Sequence, residues 1–215
     1  MSEFTYNTRS IDLTPEGEFY KESLVLLEGA LIELTSRLDI FRKYRAMTHD
    51  RDPIEHYKFR VKSAGSMKEK LKRRGLPVTS DSALTKIYDA AGIRVISTFI
   101  DDVYAIADML KQQSDLVVVE EKDYIRNPKP NGYRSYHLIV EVPMHLMDSI
   151  SKVYCEIQIR TIAMDCWASL EHQLKYKQNI VNQELIVEEL KRCADEIAST
   201  DLNMQTIRDM IMEQE

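Results

Sequence analysis

Three apolar segments lie close together between residues 116 and 161, and they constrain the fold more than any other feature of the chain. The segments are LVVVEEKDYI, YHLIVEVP and KVYCEIQIRT, and the turn NPKPNGYRS separates the first two. β-Branched and aromatic residues are enriched in strands, and the third segment alternates apolar and polar residues along its length. Together with the compact apolar run GIRVISTF, these segments predict the strands of one β-sheet.

Helical patterns surround the predicted strands. The first helix should follow Thr14 and reach about Arg45, because apolar residues recur along it at spacings of three and four. A second helix is predicted from about Pro53 to Arg74, just before Gly75. Further helices are predicted for SDSALTKIYD, for the residues from Asp101 to about Gln113, for TIAMDCWASLEHQLKYK and for the C-terminal tail. This order of elements predicts an α/β (α+β) fold, a small mixed sheet flanked by helices.

Composition excludes several classes of protein. With 215 residues and 44% hydrophobic side chains, the chain can bury one sizeable core. No run of about 18 apolar residues occurs, and MSEFTYNTRS lacks the layout of a signal peptide, so we expect a soluble, cytoplasmic protein with no membrane partner. The three cysteines lack CxxC spacing, which argues against disulfides and zinc, and we expect reduced, mostly buried thiols.

The charge of the chain is unevenly distributed. Residues 183–215 hold nine acidic and three basic side chains and so carry the whole net charge of −6. Residues 58–74, in contrast, hold eight basic side chains and a single acidic one, Glu69. A local basic cluster on an acidic protein favours a small polyanion such as a nucleotide over duplex nucleic acid.

The acidic tail carries a heptad-like apolar seam, in which spacings of four and three alternate. Its members are Ile186, Leu190, Cys193, Ile197, Thr200, Met204, Ile207 and Ile211. Such a seam packs either on the N-terminal helix of the same chain or on a second copy of the chain. The sequence leaves both interpretations open.

A polar stripe lies within the basic cluster. Lys62, Ser66 and Lys70 are four residues apart and would share one face of the predicted helix. Arg60, nearby, could stack on a base or bind phosphate in a forked geometry. This face suits phosphate oxygens, although a solvated charged face has the same pattern.

Two carboxylates are candidates for a metal site. Glu156 and Gln158 share the polar face of the third strand, and Asp89 follows the predicted SALTKIYD helix. Magnesium in phosphate-transfer sites takes one or two protein carboxylates, and either Arg94 or such an ion could compensate the charge of Asp89. The alternatives are an exposed sheet face for Glu156 and a local hydrogen bond to the following turn for Asp89.

The turn before the second strand segment combines basic and aromatic groups. Tyr133 could lay its ring against a purine, while Lys129 and His137 contact phosphate or sugar. Tyr136 should point to the opposite face from His137, so that one of the two packs in the core.

Two apparent metal motifs are rejected. His49 and Asp50 form the pair found in His-Asp phosphohydrolases, but such a site needs further His and Asp ligands over a longer helical region. Glu171 and His172 lack the second histidine of an HExxH zinc site, and a structural role is predicted for His172.

Four segments together resemble one known family. They are RVKSAGSMKEK, DAAGIRV, KDYIRNPKPNGYRSYH and EIQIRTIAMDCWASLEH. In this order they resemble the synthetase domain of the RelA/SpoT proteins, and more narrowly the stand-alone small alarmone synthetases of the RelP-like branch. The resemblance covers about residues 50–180 and implies a nucleotidyltransferase-like mixed sheet of about five strands. It divides the chain into a helical extension (1–48), a (p)ppGpp synthetase domain (49–180) and a helical oligomerisation segment (181–215).

The resemblance implies transfer of the pyrophosphate group of ATP to the 3′-hydroxyl of GDP or GTP, with Mg²⁺ as cofactor. By position, Arg60 and Arg94 match residues that sandwich adenine, and Lys62, Ser66 and Lys70 match residues that hold the ATP phosphates. Asp89 matches the magnesium ligand, and Glu156, beside Gln158, matches an acidic residue that binds metal or activates the 3′-hydroxyl. Tyr133 matches the residue that stacks on guanine, with Lys129, Asn131 and His137 as its neighbours in the acceptor site.

The resemblance also implies a homotetramer, and we expect a synthetase without a hydrolase domain. Two rival functions stay open from sequence: a related pyrophosphokinase with an adenine-nucleotide or tRNA acceptor, and a non-catalytic nucleotide or RNA sensor of the same fold. Single-stranded RNA stays open as a partner.

Overall fold

The computed structural model describes residues 14–49, 51–175 and 182–213. Within these ranges the chain forms seven helices and five strands. In chain order they are α1 (Pro15–Tyr20), α2 (Glu22–His49), β1 (Ile54–Val61), α3 (Ala64–Arg73), α4 (Ser80–Lys86), β2 (Ala91–Ser97), α5 (Ile100–Lys111), β3 (Val117–Asp123), β4 (Tyr136–His145), β5 (Ile150–Thr161), α6 (Ile162–Lys175) and α7 (Gln183–Met212). The predicted fold, a five-stranded mixed sheet flanked by helices, is confirmed.

The five strands form one sheet in the order β1-β2-β5-β4-β3. Strands β2 and β5 run parallel, and the other neighbouring pairs are antiparallel. The parallel pair brings Gly92 opposite Glu156 and Arg94 opposite Gln158. The centre of the sheet therefore joins two segments that are more than sixty residues apart in the chain.

The predicted helix from Pro53 to Arg74 is wrong in its first half. Residues Ile54–Val61 form strand β1, which pairs with β2, for example at Phe59 and Ile93. From Tyr57 to Val61 every second residue is apolar, so the spacing is that of a strand, and pairing with a buried neighbour stabilises it. The second half is confirmed as α3, whose first turn is capped by the Ser63 hydroxyl.

One long helix, α2, closes the core on the sheet. Its residues Leu27, Leu34 and Leu38 are fully buried and pack in one cluster with the apolar residues of the strands. Burial of each such leucine contributes roughly 1.5–3 kcal/mol. The N-terminal helix is therefore part of the same hydrophobic core as the sheet.

The C-terminal helix α7 packs, within the described residues, against α6 and α5 rather than along α2. The indole Nε1 of Trp167 in α6 donates to the carbonyl of Leu190 at 3.0 Å, and Arg208 forms a bidentate pair with Asp101 at 2.9 and 2.7 Å. The first half of the apolar seam is partly covered, while Ile207 and Ile211 are about half exposed.

Several predictions about single residues can be compared with the structure. Cys155 is buried but Cys166 and Cys193 are exposed, so the expectation of mostly buried thiols is wrong; all three are free. Asp50 of the rejected His-Asp pair and the N-terminal segment MSEFTYNTRS lie outside the described residues. No helix of the described ranges has the length and apolar character needed to cross a bilayer.

Candidate active site

A cleft of about 670 Å³ lies beside strands β1, β2 and β5, with residues of α6 forming another wall. Most of the predicted site residues line it, although they come from distant parts of the chain. These are Arg60, Lys62, Asp89, Arg94, Tyr133, Glu156 and Gln158. The cleft thus combines two carboxylates with several cations and a phenol ring.

The two predicted carboxylates converge on this cleft. Asp89 lies in the turn just before β2, and Glu156 lies on β5 opposite Gly92. Because β2 and β5 are parallel neighbours, the start of one strand lies beside the middle of the other. Both carboxylates line the cleft, and the charge of Asp89 opposes the ionisation of Glu156.

Two lysines neutralise Asp89. The ammonium groups of Lys62 and Lys70 lie 3.1 and 2.7 Å from its Oδ2 atom. Burial would raise the pKa of Asp89, but hydrogen bonds and charges from Lys70 and Lys62 outweigh burial and hold that pKa below its usual range. Among the described residues, the buried Oδ1 atom of Asp89 has no hydrogen-bond partner.

The geometry corrects two details of the prediction. Lys62 is not on the helix with Ser66 and Lys70; it follows β1, and its side chain still reaches Asp89. The cation beside Asp89 is therefore lysine and not Arg94, which pairs with Asp165 at 3.5 Å. Ser66 lies in the first turn of α3, where its hydroxyl accepts a hydrogen bond from Ser63 at 3.0 Å.

Glu156 is held by two polar neighbours. Its Oε1 atom lies 3.2 Å from His137 Nδ1, and its Oε2 atom accepts a hydrogen bond from Gln158 Nε2 at 3.0 Å. Burial would raise the pKa of Glu156, but His137 and Gln158 outweigh burial and keep that pKa below its usual range. Glu156 is therefore an ionised carboxylate at neutral pH.

A chain of hydrogen bonds joins the predicted acceptor loop, residues 127–135, to Glu156. The phenol oxygen of Tyr133 lies 2.9 Å from His137 Nε2 and accepts from Arg160 Nη2 at 2.6 Å. An arginine only donates and an ionised carboxylate only accepts. Arg160 therefore donates to the Tyr133 oxygen, and His137 Nδ1 donates to Glu156.

The remaining predicted acceptor residues surround Tyr133. The Lys129 ammonium lies 4.9 Å from the centre of the Tyr133 ring. Asn131 accepts a hydrogen bond from the Tyr133 amide at 3.3 Å and donates to Glu171 at 3.0 Å. The Tyr124 and Tyr133 rings form a T-shaped pair with centroids 6.0 Å apart, and Tyr133 also lines the cleft.

Sequence reasoning missed two residues of this network. Arg160 binds Tyr133 and Gln158, and Asp165 pairs with both Arg160 and Arg94. The alternation of β5 was a usable signal, because it places Arg160 on the same face as Glu156 and Gln158. His172, for which a structural role was predicted, is exposed and lines the cleft.

The loop that carries Tyr133 is pressed against α7. Gly132 has a φ angle of +87°, and a Cβ atom there would lie 2.5 Å from Ala194 Cβ and 3.1 Å from Lys191 Cα. Arg134 donates to the Ala194 carbonyl at 3.3 Å and pairs with Asp195 at 2.8 Å. The acceptor loop is therefore fixed from outside the cleft by the C-terminal helix.

This contact gives a stability prediction. Gly132→Ala is expected to lower the free energy of unfolding by about 1–3 kcal/mol, since an unfavourable φ adds to the clash with α7. Gly65→Ala is the matched control. Gly65 lies in helix α3, and a Cβ atom added there would meet no other atom within 4 Å. Chemical denaturation of both variants measures the difference. An unchanged Gly132→Ala midpoint would contradict the close packing of loop and helix.

The two carboxylates also fit a divalent metal ion. No group of three or more His, Cys, Asp or Glu side chains in the described ranges could hold a metal alone. An ion bound here would therefore take Asp89 and Glu156 and complete its shell with substrate phosphates and water, as magnesium does in phosphate-transfer sites. The unpartnered Oδ1 atom of Asp89 is the kind of ligand atom that such an ion needs.

Comparison with known proteins agrees with this geometry. The chain is 45% identical over 188 residues to the GTP pyrophosphokinase YwaC of Bacillus subtilis, a match covering 87% of the chain and 90% of the relative. The GTP pyrophosphokinase YjbM of the same species is 35% identical over 194 residues, covering 90% of each protein.

Solved structures give the same result. The crystal structure of small alarmone synthetase 2 from Bacillus subtilis is 42% identical, with a TM-score of 0.78 over 89% of this chain and 99% of that one. Small alarmone synthetase 1 of that species, bound to its product pppGpp, is 35% identical, with a TM-score of 0.78 over 89% of this chain and 97% of that one.

The family model described as "Region found in RelA / SpoT proteins" matches residues 59–181, which contain every predicted site residue. This match spans more than half of the chain, and the relatives match over most of their own length. The chain therefore belongs to the RelA/SpoT family, as its four motifs predicted.

Proposed function

We propose that the chain is a (p)ppGpp synthetase, a transferase that moves the pyrophosphate group of ATP to the 3′-hydroxyl of GDP or GTP and releases AMP. Its relatives YwaC and YjbM are named GTP pyrophosphokinases, and the match covers 90% of each. The observation that carries the proposal is the convergence of Asp89 and Glu156 on a cleft that also holds Tyr133 and the cations of β1 and β2.

The donor nucleotide binds on the side of β1 and β2. Arg60 and Arg94 lie on these neighbouring strands and both line the cleft, which suits them to hold an adenine ring between planar guanidinium groups. Lys62, Ser66 and Lys70 supply cations and a hydroxyl for the ATP phosphates. The two ammonium groups beside Asp89 support this assignment.

The acceptor nucleotide binds against Tyr133. Stacking of a base on an aromatic side chain contributes about 1–3 kcal/mol, and Lys129, Asn131 and His137 surround this ring. The hydrogen bonds from Tyr133 through His137 to Glu156 support an acceptor base that stacks next to this carboxylate. Holding the 3′-hydroxyl in line with the β-phosphorus is the main catalytic contribution of such a site.

Asp89 and Glu156 are proposed to hold Mg²⁺. When bound, this ion supplies charge neutralisation at the phosphates and orients them for transfer. Glu156 has a pKa below its usual range, which makes it a good anionic ligand and a weak proton acceptor. This supports action of Glu156 through the ion and through placement of the 3′-hydroxyl rather than as a strong base.

A product assay tests the proposed function. The protein with magnesium and labelled ATP is given GDP, GTP, ADP or tRNA as acceptor, and the expected result is 3′-pyrophosphorylated guanosine nucleotide with one AMP for each product. Product from ADP or tRNA alone would support the related pyrophosphokinase instead. Nucleotide binding without any turnover would support the non-catalytic sensor.

The remaining assignments concern the organisation of the protein. We infer that residues 49–180 form the synthetase domain, that 1–48 and 181–215 extend it, and that the protein acts in the cytoplasm. The half-exposed apolar residues Met204, Ile207 and Ile211 of α7 support a homotetramer built through terminal helices. Light scattering should give four times the chain mass, and a monomer mass would contradict the inference.

A further inference from the structure

Arg160 is the most deeply buried cation of the site, with 4% of its surface exposed. Its guanidinium group donates to Tyr133 Oη at 2.6 Å, to Gln158 Oε1 at 3.0 Å and to Ser135 Oγ at 3.3 Å. Its Cζ atom also lies 5.1 Å from the centre of the Tyr133 ring. A buried arginine with this many fixed donors orients its neighbours, because any displacement leaves donors without partners.

Asp165 connects Arg160 to the other side of the cleft. Asp165 lies in the first turn of α6. Its Oδ1 atom is 3.0 Å from Arg160 Nη1 and 3.5 Å from Arg94 Nη1. One carboxylate oxygen is therefore shared by two guanidinium groups. Burial and the charge of Arg160 lower the pKa of Arg94, and Asp165 opposes this effect.

We propose that Asp165 and Arg160 are positioning residues that couple the donor and acceptor subsites. The inference rests on the proposed function, in which Arg94 contacts the adenine of ATP and Tyr133 contacts the guanine. Arg94, Asp165, Arg160 and Tyr133 form one continuous series of contacts between those two bases. Neither Asp165 nor Arg160 needs to touch a reacting atom.

The geometry also gives the sign of the coupling. The side chain of Arg94 is 44% exposed, whereas that of Arg160 is 5% exposed, so Arg94 is the partner that a ligand can move or cover. An adenine ring over Arg94 excludes water from Asp165, which strengthens the pair between Asp165 and Arg160. Arg160 then holds Tyr133 more firmly, and the acceptor binds more tightly. Coupling of binding free energies is reciprocal, so the acceptor tightens ATP binding by the same factor.

Calorimetry with an inert donor measures this coupling. The 215-residue chain in magnesium buffer is titrated with GDP, with and without saturating α,β-methylene ATP, whose bridging carbon blocks the transfer. For the unmodified protein, the ATP analogue is expected to lower the Kd for GDP by about 5-fold or more. In Asp165→Asn the ratio of the two Kd values should approach one. In steady-state assays the same variant should lose the fall in acceptor KM that ATP causes.

Two further variants keep the test specific. Glu184→Gln removes another first-turn carboxylate, on α7, and controls for the loss of charge at a helix N-terminus. This variant should show the same ratio of the two Kd values for GDP as the unmodified protein. Arg160→Lys keeps the charge but cannot bind Asp165 and Tyr133 in one fork, so it should lose the coupling as Asp165→Asn does. This variant serves as the test if Asp165→Asn does not fold.

The outcomes separate this inference from the proposed function. An unmodified protein that makes no 3′-pyrophosphorylated guanosine removes the proposed function and this inference with it. An unmodified protein that makes the product but binds GDP equally well with and without the analogue overturns the coupling alone. Full coupling in Asp165→Asn or in Arg160→Lys also overturns it.

Discussion

Glu156→Gln is expected to lower kcat by about 100-fold to 10,000-fold while leaving the Kd for ATP within a few-fold of the unmodified value. The substitution keeps the size of the side chain and removes its charge. Glu156 now accepts from Gln158 at 3.0 Å and lies 3.2 Å from His137 Nδ1. A glutamine cannot accept at both atoms, so it disturbs the hydrogen-bond chain and deprives a metal ion of an anionic ligand.

Single-turnover assays and ATP titration of the same preparation measure the two effects separately. Glu120→Gln is the matched control, since Glu120 is a strand carboxylate that is 41% exposed and pairs with Lys122 outside the cleft. The control should retain kcat. A Glu156→Gln enzyme with nearly unmodified turnover would exclude Glu156 from catalysis and from metal binding.

The strands of the central sheet could be predicted because their side chains obey a local rule. β5 alternates apolar and polar residues, and its apolar residues Val153, Cys155 and Ile157 are all fully buried. Strand β1 follows the same alternation, but its basic residues and the nearby α3 gave the whole region a helical appearance. Its paired residues in β2 lie thirty or more positions away in the chain, and no local pattern contains that pairing.

The sequence predicted which residues line the candidate site better than it predicted the contacts between them. The sequence identified Asp89, Lys62 and Lys70, yet it assigned Lys62 to a helix stripe and left the partner of Asp89 open. Their meeting depends on the turn before β2 approaching the end of β1, which is a consequence of sheet register. Family resemblance supplied the roles of these residues, and physical contacts now connect them.

The two residues that the sequence analysis missed, Arg160 and Asp165, are proposed to act through other residues. Arg160 lies on the polar face of β5, but its burial depends on the packing of loop 127–135 and α6 around it. Asp165 lies in the first turn of α6, a position that favours carboxylates for local reasons. Side chains that position others carry no spacing motif, so a structure is needed to find them.

Asp89→Asn is expected to lower kcat/KM by at least about 100-fold and to raise the magnesium concentration needed for half-maximal rate. Loss of groups that only support metal ligands costs about 10–100-fold in metal affinity, and loss of a proposed ligand should cost more. The substitution also leaves Lys62 and Lys70 without the carboxylate that both now contact. Addition of a chelator should abolish turnover of the unmodified enzyme.

The loss of ion pairs could lower activity through stability alone, so the control must also lose an ion pair. Asp52→Asn removes a carboxylate whose Oδ2 atom lies 2.6 Å from Arg42 Nη2, in a pair outside the cleft. This variant should keep both its activity and its magnesium dependence. Magnesium titration of the rate, with thermal unfolding of each variant, separates the two causes. If Asp89→Asn lost activity only in proportion to its unfolded fraction, with an unchanged magnesium requirement, Asp89 would be a structural partner of the lysines and the proposed metal site would have to be placed elsewhere.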